Sequence, residues 1–297
     1  MVDLRHKIGL GTVQFGLDYG ISNSVGMTPI SQVKKILRYA SGSGVNLIDT
    51  APSYGQSEAT IGQCLKVAHN YKIVTKINPL NQIVIDNEVV TKIGNDFYKS
   101  LTRLQVKSIY GLLFHNTDDL RKEGIDKVFE FLHTLKQQKY IEKIGVSVYE
   151  EDQIRYVLDR FELDLIQVPI NIFDQRLHRS GVLKTLSELK VEIHSRSAFM
   201  QGIMFMDPKE IPNDLKVFKP KVERLNEFAL DSQQTIAQIA LNYLICQPEI
   251  NNVLIGCNNL QQLKQIMECC KSVRNLPNNL LNELSIRESK MLNPTNW

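Results

Sequence analysis

Eight short runs of β-forming residues recur along the chain, and the gaps between them are long enough to hold helices. They are IGLGTV (8–13), VNLIDT (45–50), YKIVTKI (71–77), IYGLLFH (109–115), EKIGVSV (142–148), LDLIQVPI (163–170), VEIHSRS (191–197) and NNVLIGC (251–257). Most are continuous Val/Ile/Leu stretches rather than polar/apolar alternations, which is the pattern of parallel strands covered on both faces. Parallel neighbours need a crossover of about a dozen residues or more, and every gap supplies one.

The gaps carry a helical period. Ile30, Val33, Ile36, Leu37 and Ala40 share one face of a helix over 29–43, with Thr28 as a candidate N-cap, Pro29 in the first turn and Gly44 at the exit. Leu260, Leu263, Ile266, Met267 and Cys270 repeat the pattern after Asn258. Strand and helix thus alternate eight times with no Pro- or Ser-rich linker between halves. The expected fold is α/β, a closed (β/α)8 TIM barrel; an open doubly wound sheet is the alternative. The 297 residues, 43% of them hydrophobic, suit one barrel domain over 1–297, with a further helix at about 277–292. The stretch 204–221, with three prolines, reads as a loop over one end.

Charge and cysteine content narrow the function. A net charge of +3, with 35 Lys and Arg spread along the chain, argues against a nucleic-acid surface. No stretch approaches the run of about 18 apolar residues that spans a bilayer, and the N-terminus lacks a signal-peptide core. Cys64, Cys246, Cys257, Cys269 and Cys270 include no CxxC pair and no histidine at ligand spacing. The expectation is a cytoplasmic protein with reduced thiols, no bound metal and no membrane contact.

In a barrel of this kind the site lies at the C-terminal ends of the strands. Four candidate side chains fall there: Asp49 closing the second run, Tyr54 in the loop after it, Lys76 near the end of the third, and His115 closing the fourth. Each type alone has an ordinary structural use, as a cap, a turn former or a hydrogen-bonded histidine. Together they compose a proton-transfer device. A lysine ammonium stabilises a nearby phenolate and draws down its pKa, and Asp49 can neutralise and orient a buried Lys76. Tyr54 can then protonate a carbonyl oxygen, with His115 hydrogen-bonding the same oxygen.

The segment IDTAPSYGQSEATIG (48–62) resembles the Asp-Thr-Ala-x-x-Tyr-Gly-x-Ser-Glu signature of the aldo-keto reductases, and IGLGTVQFG (8–16) resembles their first-strand Gly-Thr-x-x-Phe-Gly element. The resemblance runs over essentially the whole chain. It implies a catalytic tetrad of Asp49, Tyr54, Lys76 and His115, with Tyr54 as acid/base, and a nicotinamide cofactor, NADP(H) or NAD(H), in the barrel mouth.

It further implies cofactor contacts from Gly11 and Thr12 on the first strand, from Asp49, and from Ser147 and Gln167, which match the family's carboxamide-binding positions. Val148 stands where the family has an asparagine. After the seventh strand the family has a tyrosine that stacks on the nicotinamide; here it is Arg196, whose planar guanidinium can also lie on a ring. An Arg196 charge beside an oxidised, cationic ring favours the reduced cofactor; otherwise Arg196 turns to a carboxylate, a phosphate or a surface acid. Ser197, Phe199, Gln201 and Gly202 match the loop that approaches the pyrophosphate, and Gly256 matches the last-strand turn. The first basic residue after it is Lys264. A 2′-phosphate clamp is therefore weak or absent, and Asn258, Asn259 and Gln262 suit a ribose hydroxyl, so both nucleotides stay open.

The remaining histidines read as structural: His6, His69, His133 and His178 have no companions at useful spacing, and His194 shares its strand face with Arg196 and has a core role. The leading function is an oxidoreductase interconverting a carbonyl and an alcohol on a small-molecule substrate, with a sugar or other polar compound favoured. Alternatives are a nicotinamide-sensing binding module with little turnover, kept open by Val148 and Arg196, and a barrel handling sugar phosphates without redox chemistry. The loops at 17–27, 78–88 and 203–218 are the least patterned and are expected to enclose the substrate.

Overall fold

A computed structural model describes residues 4–65, 71–293 and 296–297. Eight parallel strands close into a barrel in sequence order, β1 Ile8–Gly11, β2 Leu47–Asp49, β3 Lys72–Ile77, β4 Ile109–Phe114, β5 Ile141–Ser147, β6 Leu165–Pro169, β7 Glu192–Arg196 and β8 Asn252–Ile255. Every expected run coincides with a strand, trimmed at one or both ends where the chain turns into a loop; β5 starts one residue before its run, at Ile141. Helices α1 Ile30–Gly42, α2 Ser57–Leu65, α3 Asn87–Leu104, α4 Asp126–Gln137, α5 Glu151–Leu158, α6 Arg176–Arg179, α7 Val182–Glu188, α8 Lys219–Ser232, α9 Ile236–Ile245 and α10 Leu260–Cys269 form the outer layer. Two more, α11 Asn278–Leu284 and α12 Ser289–Leu292, follow.

Burial explains the continuous apolar runs. Alternate strand residues face the helices and join one large core, from Ile8 and Leu10 to Val253 and Ile255. The others face inward, where Leu47, Val74, Tyr110, Leu113, Leu165 and Leu254 fill the barrel interior. Toward the strands' N-terminal ends the filling is polar: Glu192 accepts from Tyr110 Oη at 2.6 Å, pairs with Lys143, and lies 2.7 Å from His194 Nε2. His194 is fully buried there, as a core residue. His69 lies outside the described residues.

Three local expectations are corrected. The N-cap of α1 is Pro29 and not Thr28, whose hydroxyl is buried without a partner while its backbone N–H bonds to the Gln14 carbonyl at 2.8 Å. That tether to the β1 loop sets the entry to the helix. The stretch 204–221 is not an open loop: it holds short 3-10 turns at Pro208–Glu210 and Asn213–Phe218 and the start of α8, and it buries Ile211, Leu215 and Phe218. Pro220 in the first turn of α8 is the overlooked start signal. The single helix suggested at about 277–292 is two, because the chain is extended at Ser285 so that Ile286 N–H can bond to Phe173 O at 2.9 Å and its side chain can be buried.

Candidate active site

Parallel strands put all eight C-terminal ends on one rim, and a cleft of about 810 Å³ opens there. Register brings the site together: Gly11 pairs with Asp49, Asp49 with Val74, and Ser147 with Gln167, so side chains distant in sequence share one level of the rim.

Asp49 and Lys76 form a closed pair, 5% and 3% exposed. The Lys76 ammonium donates to both Asp49 carboxylate oxygens and to the Thr50 carbonyl, each at 2.9 Å. It also stands 5.0 Å from the centre of the Tyr54 ring. Burial by itself would lower the Lys76 pKa, but Asp49 and Tyr54 outweigh it and the ammonium is held above its usual value.

Burial raises the Tyr54 hydroxyl above its usual range, with Lys76 and Arg196 pulling down and Asp49 pushing up. The lysine acts in the expected direction, but enclosure wins. His115 packs edge-on to the Tyr54 ring with centroids 5.8 Å apart. Burial, then the Lys76 charge, depress its pKa to about 4, so the imidazole is neutral at physiological pH. Its Nδ1 lies 3.2 Å from Ser53 Oγ.

The rest of the 48–62 segment holds Tyr54 in place. Thr12 donates to Asp49 O at 2.8 Å, Ser57 donates to Thr12 O at 2.8 Å, and Thr50 donates to Ser57 Oγ at 3.0 Å. Glu58, buried at the start of α2, accepts from Thr75 at 2.6 Å and pairs with Arg103 at 2.7 Å. Gly16 lets the β1 loop lie against this turn: a Cβ there would stand 1.9 Å from Tyr54 O and 2.2 Å from Ser57 N. Much of the signature is therefore scaffolding around one tyrosine.

All the residues suggested for the cofactor line the cleft: Gly11, Thr12, Asp49, Ser147, Gln167, Arg196, Ser197, Phe199, Gln201, Gly202, Gly256, Asn258 and Gln262. Gln167 donates its amide nitrogen to Asp49, and its Oε1 is buried without a partner. An acceptor left open in that way fits the amino group of a carboxamide. Gly256, where a Cβ would come within 2.5 Å of Gln14 Nε2, keeps one wall flat. These features fit a nicotinamide dinucleotide.

Val148 does not enter the cleft; its side chain is buried in the outer core. Its carbonyl instead accepts from Arg196 Nη2 at 3.0 Å, and the Arg196 guanidinium lies 4.0 Å over the Tyr149 ring. Arg196 Nε is buried with no partner, so the side chain is neither paired with a surface acid nor turned out of the site.

Three residues at the site were not anticipated. Ser53, Tyr149 and Gln14 carry no motif signal. The segment 17–27 supplies Tyr19, Ser22, Asn23 and Val25 and is tied across the cleft, with Ile21 N–H bonding to Gln201 O at 3.1 Å and Asn258 Nδ2 to Asn23 Oδ1 at 2.7 Å. Its irregular, loop-like composition was its only signal. Among the described residues no helix is long and apolar enough to cross a membrane, and no group of metal-ligating side chains occurs.

Residues 7–284 match the profile of the aldo/keto reductase family, and the chain belongs to that family. It is a nicotinamide-cofactor-dependent oxidoreductase of the CH–OH/C=O type. The L-galactose dehydrogenase of Arabidopsis thaliana is 24% identical, over 87% of this chain and 82% of its own. The NADH-specific methylglyoxal reductase of Escherichia coli is 23% identical, over 75% of this chain and 77% of its own. Among solved structures, aldo-keto reductase AKR11C1 from Bacillus halodurans in its holo form superposes with a TM-score of 0.73 at 21% identity, covering 94% of this chain and 90% of that one.

Proposed function

We propose that this enzyme interconverts a carbonyl and an alcohol on a small polar compound, a sugar or sugar-like carbonyl among them, with Tyr54 as the proton donor and acceptor. The observation that carries the reading is the position of Tyr54, between the Lys76 ammonium and neutral His115 at the mouth of the cleft. A bound nicotinamide supplies or takes the hydride. In reduction Tyr54 passes its proton to the carbonyl oxygen, and the phenolate left behind faces a lysine that Asp49 keeps charged. The Ser53 hydroxyl can donate to His115 Nδ1, 3.2 Å away; in that tautomer the neutral imidazole carries its proton on Nε2 and can hold the same oxygen by a hydrogen bond.

A polar substrate is supported by the rim, where Tyr19, Tyr149 and Arg196 combine ring faces with hydrogen-bonding groups. The names of the dehydrogenase and the methylglyoxal reductase above point to the same class. Replacing Tyr54 with Phe should lower kcat by about 10² to 10⁴ while leaving nucleotide affinity, measured by fluorescence titration, within a factor of about two. Undiminished reduction by that variant overturns the assignment.

A further inference from the structure

The placement of the reaction at Tyr54 also fixes the direction of the dinucleotide, and the inference below rests on that reading. With its reactive ring beside Tyr54, a dinucleotide lying along the cleft carries its other ribose to the opposite end. That end is walled by the turn after β8, the first turns of α10, and Asn23 from the strap over the cleft.

The wall is built of neutral amides: Asn258, Asn259, Gln262, Gln265 and Asn23. Among the described residues lining the cleft there is no lysine, and the one arginine, Arg196, sits at the tetrad end against Tyr149 and Val148 O. Lys264, on α10 itself, stands 5.7 Å over the Tyr39 ring of α1.

The backbone donors at this helix start are also in use. Asn258 N–H bonds to Gln262 Oε1 at 2.7 Å, Gln262 N–H to Asn259 Oδ1 at 2.9 Å, and Leu260 N–H to Gln32 Oε1 at 3.4 Å. A phosphate monoester carries between about −1.5 and −2 charges at neutral pH, and bringing it into such a wall strips water from it with no cation and few free N–H groups in exchange. A ribose hydroxyl both donates and accepts, so it finds partners among amides without that penalty.

We propose that the amide wall of Asn258, Gln262 and Gln265 rejects a 2′-phosphate, so that this enzyme works with NAD(H) and not NADP(H). The test is isothermal titration of the full chain with NADH, NADPH, 5′-ADP and 2′,5′-ADP, repeated on Gln262→Arg and Gln265→Arg. NADH should bind at least about tenfold more tightly than NADPH, a difference of about 1.4 kcal/mol. The two ADP isomers, which never reach Tyr54, should rank the same way. An arginine at either position should narrow the gap, and the gained NADPH binding should weaken as salt rises.

NADPH binding as tight as NADH, or 2′,5′-ADP as tight as 5′-ADP, would overturn the proposal while leaving the role of Tyr54 untouched. An NADH-over-NADPH preference left unchanged by both arginine substitutions would overturn the assignment of these residues. Full activity of Tyr54→Phe with NADH preference intact would sink the proton-transfer reading alone.

Discussion

Both carboxylate oxygens of Asp49 receive hydrogen bonds from the Lys76 ammonium at 2.9 Å, inside a barrel that leaves the two residues almost no solvent. Each charge is tolerable there because of the other. Lys76→Met should therefore cost about 3–5 kcal/mol of stability by stranding a buried carboxylate. The double replacement Lys76→Met with Asp49→Leu should recover much of that loss. Urea denaturation of the two variants decides it: a single variant no less stable than the double would mean that water reaches Asp49.

Gly16 is a positional constraint on Tyr54 and not a contact of the reacting atoms. Because a Cβ there runs into Tyr54 O and Ser57 N, Gly16→Ala should push the tyrosine turn outward. A misplacement of the order of 1 Å costs about 10² in rate, so kcat should fall by that factor while the circular dichroism spectrum is unchanged. An unaffected kcat would show that the β1 loop yields instead.

The depressed His115 pKa has a thermodynamic signature. Its native value is about 4 against 6.5 for the free side chain. Between these values the unfolded chain takes up a proton that the native state refuses, so this group's contribution is complete above pH 6.5 and is lost as pH falls toward 4. At about 1.4 kcal/mol per unit, the full span is worth up to ~3 kcal/mol, and His115→Gln should flatten the stability profile in that window. Glu192, lowered from 4.5 to about 2 against the pull of its burial by His194, Lys143 and Tyr110, acts in a lower window. An identical profile for the His115 variant would show that its imidazole is solvated.

Arg196 places a fixed positive charge on the Tyr149 ring beside the tetrad. It should disfavour a cationic nicotinamide relative to a neutral one. Arg196→Leu is expected to tighten binding of the oxidised nucleotide relative to the reduced by about threefold to tenfold. The ratio of the two dissociation constants, read by titration, checks this; an unchanged ratio would place the charge too far from the ring to matter.

The barrel and the cluster of Asp49, Tyr54, Lys76 and His115 were legible for one physical reason. Strands covered on both faces must be apolar throughout, so the eight runs stood out, and the polar side chains ending them were conspicuous against that background. Asp49, Lys76 and His115 each interrupt or close such a run. The segment 17–27 was legible as an enclosing loop and does line the cleft, but its ties were not, because they run to Gln201 and Asn258, far along the chain, and follow no local period. Ser53 and Tyr149 were missed in the same way: each matters through one neighbour brought up by the fold, His115 and Arg196 respectively. Val148 looked like a lost ligand, yet its backbone carbonyl anchors Arg196.

The pairing of β1 with β8, Gly9 beside Leu254, has a consequence for when the enzyme comes to life. Asp49, Tyr54, Lys76 and His115 are all synthesised early, but the ring that aligns them stays open until the strand at Asn252–Ile255 arrives. Contacts so distant in sequence form late and slowly. A nascent chain halted before Asn252 already carries Asp49, Tyr54, Lys76 and His115 but lacks the strand that closes the barrel around them, and it is expected to be inert until that strand is added.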